Sequence, residues 1–131
     1  MSTADGKTSD RKSLLLAAAD AYFTGLAKKD VSGVPYAYNV EFRTPLALGG
    51  SDVPIRGRAS VLDFFPVIYD ALADVRVVDY FYNDALDAIC VKAEVGLKSG
   101  KRLRVADLLR INAEGKVIAQ ENHYDPRPAT E

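Results

Sequence analysis

Apolar residues recur at three- and four-residue intervals through much of the first half of this chain, and at two-residue intervals through the second half. The first spacing lines one face of a helix, the second one face of a strand. Leu15, Ala18, Ala19, Tyr22 and Leu26 share a helix face, and Ser9 or Asp10 supplies an N-cap for a helix running to about Lys28. Lys28 and Lys29 suit the negative end of its dipole. A short second helical piece is expected over 30–34, closed by Pro35, after which Tyr38, Val40 and Phe42 alternate as a strand stopping at Pro45. Gly49, Gly50 and Pro54 mark a loop, and 55–57 reads as a short strand. Val61, Phe64, Phe65, Ile68 and Leu72 return to helical spacing. Pro66 lies inside that run and should kink it, because proline removes a backbone donor and crowds the preceding turn.

From Val75 onward strands are expected at 75–82, 88–97, 102–111 and 117–124, joined at Asn83-Asp84, Ser99-Gly100 and Glu114-Gly115. Helices followed by a run of antiparallel strands is the α+β order. The 131 residues suffice for one core, so residues 9–127 are expected to form a single domain. Residues 1–8 read as a disordered N-terminal tail and 128–131 as a short C-terminal one.

Charge and composition narrow the function. Seventeen basic side chains against eighteen acidic ones leave no basic stripe for nucleic acid. No apolar stretch approaches the ~20 residues of a membrane span. Asp20 interrupts the apolar run after Arg11 and Lys12 too early for a secretory leader, and with Cys90 as the one cysteine the expected location is cytoplasmic. A lone cysteine and a lone histidine, His123, make no disulfide framework and no multi-histidine metal site, so no metal or cofactor is expected.

One strand carries the chemistry. Alternation over 102–111 places Leu103, Val105, Asp107, Leu109 and Ile111 on one face, opposite Arg102, Arg104, Ala106, Leu108 and Arg110. A lone carboxylate among aliphatic neighbours is costly when ionised, and such a group gains a partner or keeps its proton. Glu121, His123 and Asp125 alternate on one face of the last strand; they form a proton-transfer cluster if that face looks inward, and a solvated or intersubunit surface if it looks outward. Tyr22, Tyr36, Tyr38, Phe42, Phe64, Phe65 and Tyr69 are expected to line a core or a pocket for a flat hydrophobic ligand.

These residues give the chain a resemblance to the nuclear transport factor 2-like superfamily, which includes ketosteroid isomerases, SnoaL-like polyketide cyclases, limonene epoxide hydrolases and scytalone dehydratase. It rests on Ala21-Tyr22-Phe23 with Lys29-Asp30, on Val40-Glu41-Phe42-Arg43-Thr44-Pro45, on Ile55-Arg56-Gly57-Arg58 before Phe64-Phe65, and on Asp107-Leu108-Leu109-Arg110-Ile111-Asn112 with Gly115-Lys116-Val117-Ile118 and Tyr124-Asp125. The resemblance implies a curved, mainly antiparallel sheet wrapped round N-terminal helices as a cone whose interior is the ligand cavity. It also implies a homodimer through the outer sheet face. Tyr22 matches the oxyanion-hole tyrosine of the isomerases and Asp107 their protonated aspartate, but Thr44 stands where they carry the general base, which argues against steroid isomerisation. Asp125 matches a second carboxylate of the epoxide hydrolases, without an evident arginine between the two.

The sequence therefore points to a cofactor-independent acid/base enzyme acting on a small hydrophobic molecule. Asp107, Tyr22 and His123 are the catalytic candidates, and Phe42, Thr44, Phe64, Phe65, Ile68, Val105 and Leu109 the candidate pocket lining. The competing reading is a non-catalytic ligand-binding or dimerising module of the same fold.

Overall fold

The computed structural model describes residues 3–131. Helix α1 spans Thr3–Lys28, β1 Tyr36–Arg43, β2 Ile55–Arg56, α2 Arg58–Phe64, α3 Pro66–Tyr69, β3 Leu72–Tyr82, β4 Ala88–Leu97, β5 Arg102–Ile111, β6 Val117–His123 and α4 Arg127–Thr130. The first helix thus begins before the expected Ser9 or Asp10. Once its packed turns have nucleated it, each further residue adds at little cost. Part of the tail expected over 1–8 lies outside the described residues.

Leu15, Ala18, Ala19, Tyr22 and Leu26 are all buried, as their spacing requires. The helix ends in a Schellman motif: Lys29 adopts a left-handed φ of 62°, its N–H donates to the Leu26 carbonyl at 3.1 Å, and the Asp30 N–H donates to the Gly25 carbonyl at 2.8 Å. The expected helical piece over 30–34 is instead a turn. There the Asp30 carboxylate accepts from the Ser32 N–H at 3.0 Å, an alternative to helical pairing that aspartate favours. The chain doubles back so tightly that a Cβ on Gly25 would stand 2.6 Å from the Asp30 carbonyl oxygen. Gly25→Ala should therefore cost about 1–3 kcal/mol through overpacking, although helix propensity alone promises a gain of about 1 kcal/mol. Urea unfolding decides between them, and a stabilised variant would remove the close approach from the account.

Pro66 breaks the second helical run into α2 and α3 and occupies the first position of α3, where its missing N–H costs nothing. Leu72, expected at the end of that helix, instead starts β3. The sheet runs β2-β1-β6-β5-β4-β3, with β1 parallel to β6 and every other pair antiparallel. Register shifts in β1, β3 and at the end of β5 bend these strands, giving the curved, unclosed α+β cone. The irregularity between Tyr36 and Glu41 interrupts the alternation of β1 at Tyr38, which is 92% exposed although Tyr36, Val40 and Phe42 are buried. Helix α1 packs against β3, β4 and β5, and α2 against β1.

Candidate functional site

Strand β5 delivers Asp107 to the concave face. Its inward residues Leu103, Val105, Asp107, Leu109 and Ile111 are buried, while Arg102, Arg104 and Arg110 are exposed. Asp107 pairs with Val91 on β4 and Asn122 on β6. It is 2% exposed, and its Oδ1 is buried with no hydrogen-bond partner among the described residues. Desolvation raises its pKa well above the ordinary carboxylate range, which favours the protonated carboxyl over the carboxylate.

This carboxyl group faces a cavity of about 190 Å³. Leu103 and Val105 of β5, Val95 and Leu97 of β4, Leu26 of α1 and Leu72 of β3 form apolar walls; Leu46, Val67, Ile68, Ala71 and Ala129 complete the lining. Its polar atoms come from Tyr22, Asp107, Asn122 and Tyr124. The volume exceeds the ~150 Å³ of an engineered cavity that takes up benzene and falls short of the ~300–1,000 Å³ of drug-sized pockets. One substituted ring fits that scale.

Tyr22, from the buried face of α1, accepts a hydrogen bond at 3.0 Å from Asn122 Nδ2. Burial, then the charge of Asp107 when ionised, raises its pKa well above the tyrosine value, so Tyr22 stays a neutral donor. Asn122 is in turn bonded to Gln120, and Gln120 to Tyr36. The Thr44 hydroxyl lies 3.0 Å from the Tyr124 hydroxyl. Burial pushes the Tyr124 pKa up to about 12.

Several expected site residues fall elsewhere. His123 is a correction: it projects from the outer face of β6, beside Ala106, with its Nε2 3.7 Å from Glu121 Oε1, and its side chain is 58% exposed. Gln120, Asn122 and Tyr124 occupy the inward side of that strand, so Glu121, His123 and Asp125 cannot share the cavity with Asp107. Asp125 is paired with Arg127 at the start of α4 instead. Phe42, Phe65 and Leu109 are fully buried but lie in the packed core and not on the cavity wall, and Phe64 packs edge-on against Phe42 at 5.7 Å. Ile68 and Val105 do line the cavity; Thr44 reaches it through Tyr124. Asn122 and Gln120 were not among the expected site residues, because both faces of that strand carry polar side chains and alternation alone does not say which is interior.

Other surfaces contain less chemistry. Val78 and Phe81 stand exposed on β3, and Phe81 pairs with Cys90 of β4. Among the described residues no group of three or more His, Cys, Asp or Glu side chains could hold a metal ion, and no helix is long and apolar enough to cross a membrane.

No protein-family model matches the sequence, and no curated protein matches it. Solved structures do match its shape. A steroid delta-isomerase from Pseudomonas aeruginosa superposes with a TM-score of 0.70 at 17% identity, covering 86% of this chain and 80% of that one. RV0760c from Mycobacterium tuberculosis, in complex with estradiol-17beta-hemisuccinate, gives 0.68 at 17% identity, covering 86% and 94%. The epoxide hydrolase/cyclase-like enzyme SalBIII, described for pyran ring formation in polyether salinomycin, gives 0.68 at 15% identity, covering 92% and 95%. The strand order, the curved sheet and these matches give the chain the nuclear transport factor 2-like fold.

Proposed function

We propose that the cavity binds one small hydrophobic molecule through a single oxygen atom, held by Tyr22 and protonated Asp107. Asp107 then acts as a general acid in a cofactor-independent reaction of the SnoaL-like cyclase, isomerase or hydrolase kind. Asp107 carries this reading: it lines the cavity, and its Oδ1 is buried with no hydrogen-bond partner among the described residues. A neutral carboxyl group with no acceptor in the protein donates to a guest, and in a water-poor site that bond strengthens as negative charge grows on the guest oxygen. The similar proteins that act on or bind steroids and polyethers support the class of guest. The cavity volume matches about one ring of such a guest.

A second reading, a binding module without turnover, is favoured by Thr44. It occupies the position of the isomerase base, and its hydroxyl is engaged with Tyr124. A series of substituted phenols separates the two. In the acid/base reading, affinity climbs steadily with phenol acidity, because the bound oxygen is stabilised as its charge develops, and Asp107→Asn flattens that slope several-fold while still binding anisole. Calorimetric affinities showing no dependence on phenol acidity, with Asp107→Asn indistinguishable from wild type, would leave only the binding module.

A further inference from the structure

The cavity lining is sorted by depth. Its polar side chains belong to its buried end: Tyr22, Asp107 and Asn122 are buried, and Tyr124 is half-buried with its hydroxyl engaged by Thr44. The lining residues that stand in solvent are all apolar. Val67 is 71% exposed, Ala71 and Ala129 are exposed, and Leu46 is half-buried. A side chain that both lines a cavity and meets solvent marks its mouth.

These four come from separate stretches of chain: Leu46 from the loop after β1, Val67 from α3, Ala71 from the turn before β3 and Ala129 from α4. Apolar side chains scattered singly over a surface need no explanation, but several converging on one opening mark a place that something apolar covers. The rim is also fixed before any guest arrives. The Ala47 N–H donates to the Thr44 carbonyl at 3.2 Å, the Lys98 N–H to the Ala71 carbonyl at 2.9 Å, and the Ala129 N–H to the Pro126 carbonyl at 2.9 Å. No charged side chain other than Asp107 lines the cavity, so a charged outer group on a guest meets no partner at the mouth.

We infer that this rim is a subsite for an apolar tail, and that the guest is an amphiphile with an oxygen on its inner ring and a saturated chain at its outer end. The inference rests on the oxygen-binding role proposed for Asp107 and Tyr22 and adds the outer half of the guest. One ring matches the cavity of about 190 Å³, so a chain opposite the oxygen leaves through the mouth. Lying over Val67 and Leu46, it removes its own surface and theirs from water together.

Calorimetric titration of para-alkylphenols, from p-cresol to 4-hexylphenol, tests the subsite. Each methylene laid on the rim should raise affinity about threefold to fourfold, and the gain should level off once the chain outruns it. Val67→Asn, at an exposed position, should leave p-cresol within about twofold of wild type, which checks the fold. The same variant should cut the gain per methylene to about twofold or less. Should it lose p-cresol as well, Ala129→Asn is read in the same way from another segment of the rim. Asp107→Asn acts at the opposite end, so it should weaken every member by a similar factor and keep the gain per methylene. A wild-type series that is flat beyond p-cresol, or a gain that the rim variant leaves unchanged, overturns the tail subsite; p-cresol still weakened by Asp107→Asn would then leave the oxygen site standing. A steep series indifferent to Asp107→Asn overturns the oxygen-first orientation together with the reading on which it rests.

Discussion

Asp107→Asn should resist denaturant better than the wild-type protein at neutral pH and lose that advantage on acidification. The native pKa of Asp107 is raised by burial, whereas in the unfolded chain it returns to about 3.9. Between those values the native state holds a proton that the unfolded state releases, so wild-type stability falls as pH rises. Stability is complete below the unfolded value and declines by about 1.4 kcal/mol per pH unit until the native carboxyl ionises. Two units of pH thus separate the proteins by about 3 kcal/mol, a large share of the 5–15 kcal/mol typical of a domain. Asp30, Asp87, Glu94 and Asp125 have lowered pKa values through hydrogen bonds at the surface, but they are common to both proteins and cancel in the difference. Urea titrations at unit steps from pH 4 to 8 measure it. A difference that stays constant across that range means that the carboxyl reaches water in the folded protein, and the proposed acid is lost with it.

The route from sequence to site was uneven for a physical reason. A two-residue period assigns side chains to faces but gives neither the side that becomes interior nor the depth along a cone. On β5 four aliphatic residues beside Asp107 leave no doubt about the interior face, and Asp107 is where that alternation put it. On β6 both faces carry polar groups, so Gln120 and Asn122 could be separated from Glu121 and His123 only by their cross-strand partners Leu109, Asp107, Leu108 and Ala106. Depth explains Phe42, Phe65 and Leu109: they lie on the inward faces expected of them, yet deeper in the core than the cavity reaches. Helix α4 spans too few residues to show any period, and the contact of Ala129 with the cavity has no local signature.

Phe65→Ala should produce the largest loss of stability among single truncations in this core, about 3–5 kcal/mol. The ring is fully buried at the break between α2 and α3. It stacks on Phe42 with centroids 5.3 Å apart and meets Tyr22 edge-on at 5.8 Å. Aromatic pairs of this kind contribute about 0.5–1.5 kcal/mol beyond the area they bury. The alanine variant therefore loses both pairings as well as the transfer energy of the ring, and its melting temperature should fall by about 10 °C or more. Phe65→Leu keeps most of the volume and should cost about half as much. The void left by alanine adjoins Tyr22, whose other side faces the cavity, so the same truncation that weakens the fold should enlarge the site. Naphthalene should then gain affinity relative to ethylbenzene in Phe65→Ala. A loss under about 1 kcal/mol, or an unchanged size preference in the folded variant, would show that the aromatic cluster does not back the cavity wall, and that Tyr22 is held in place by α1 and Asn122 alone.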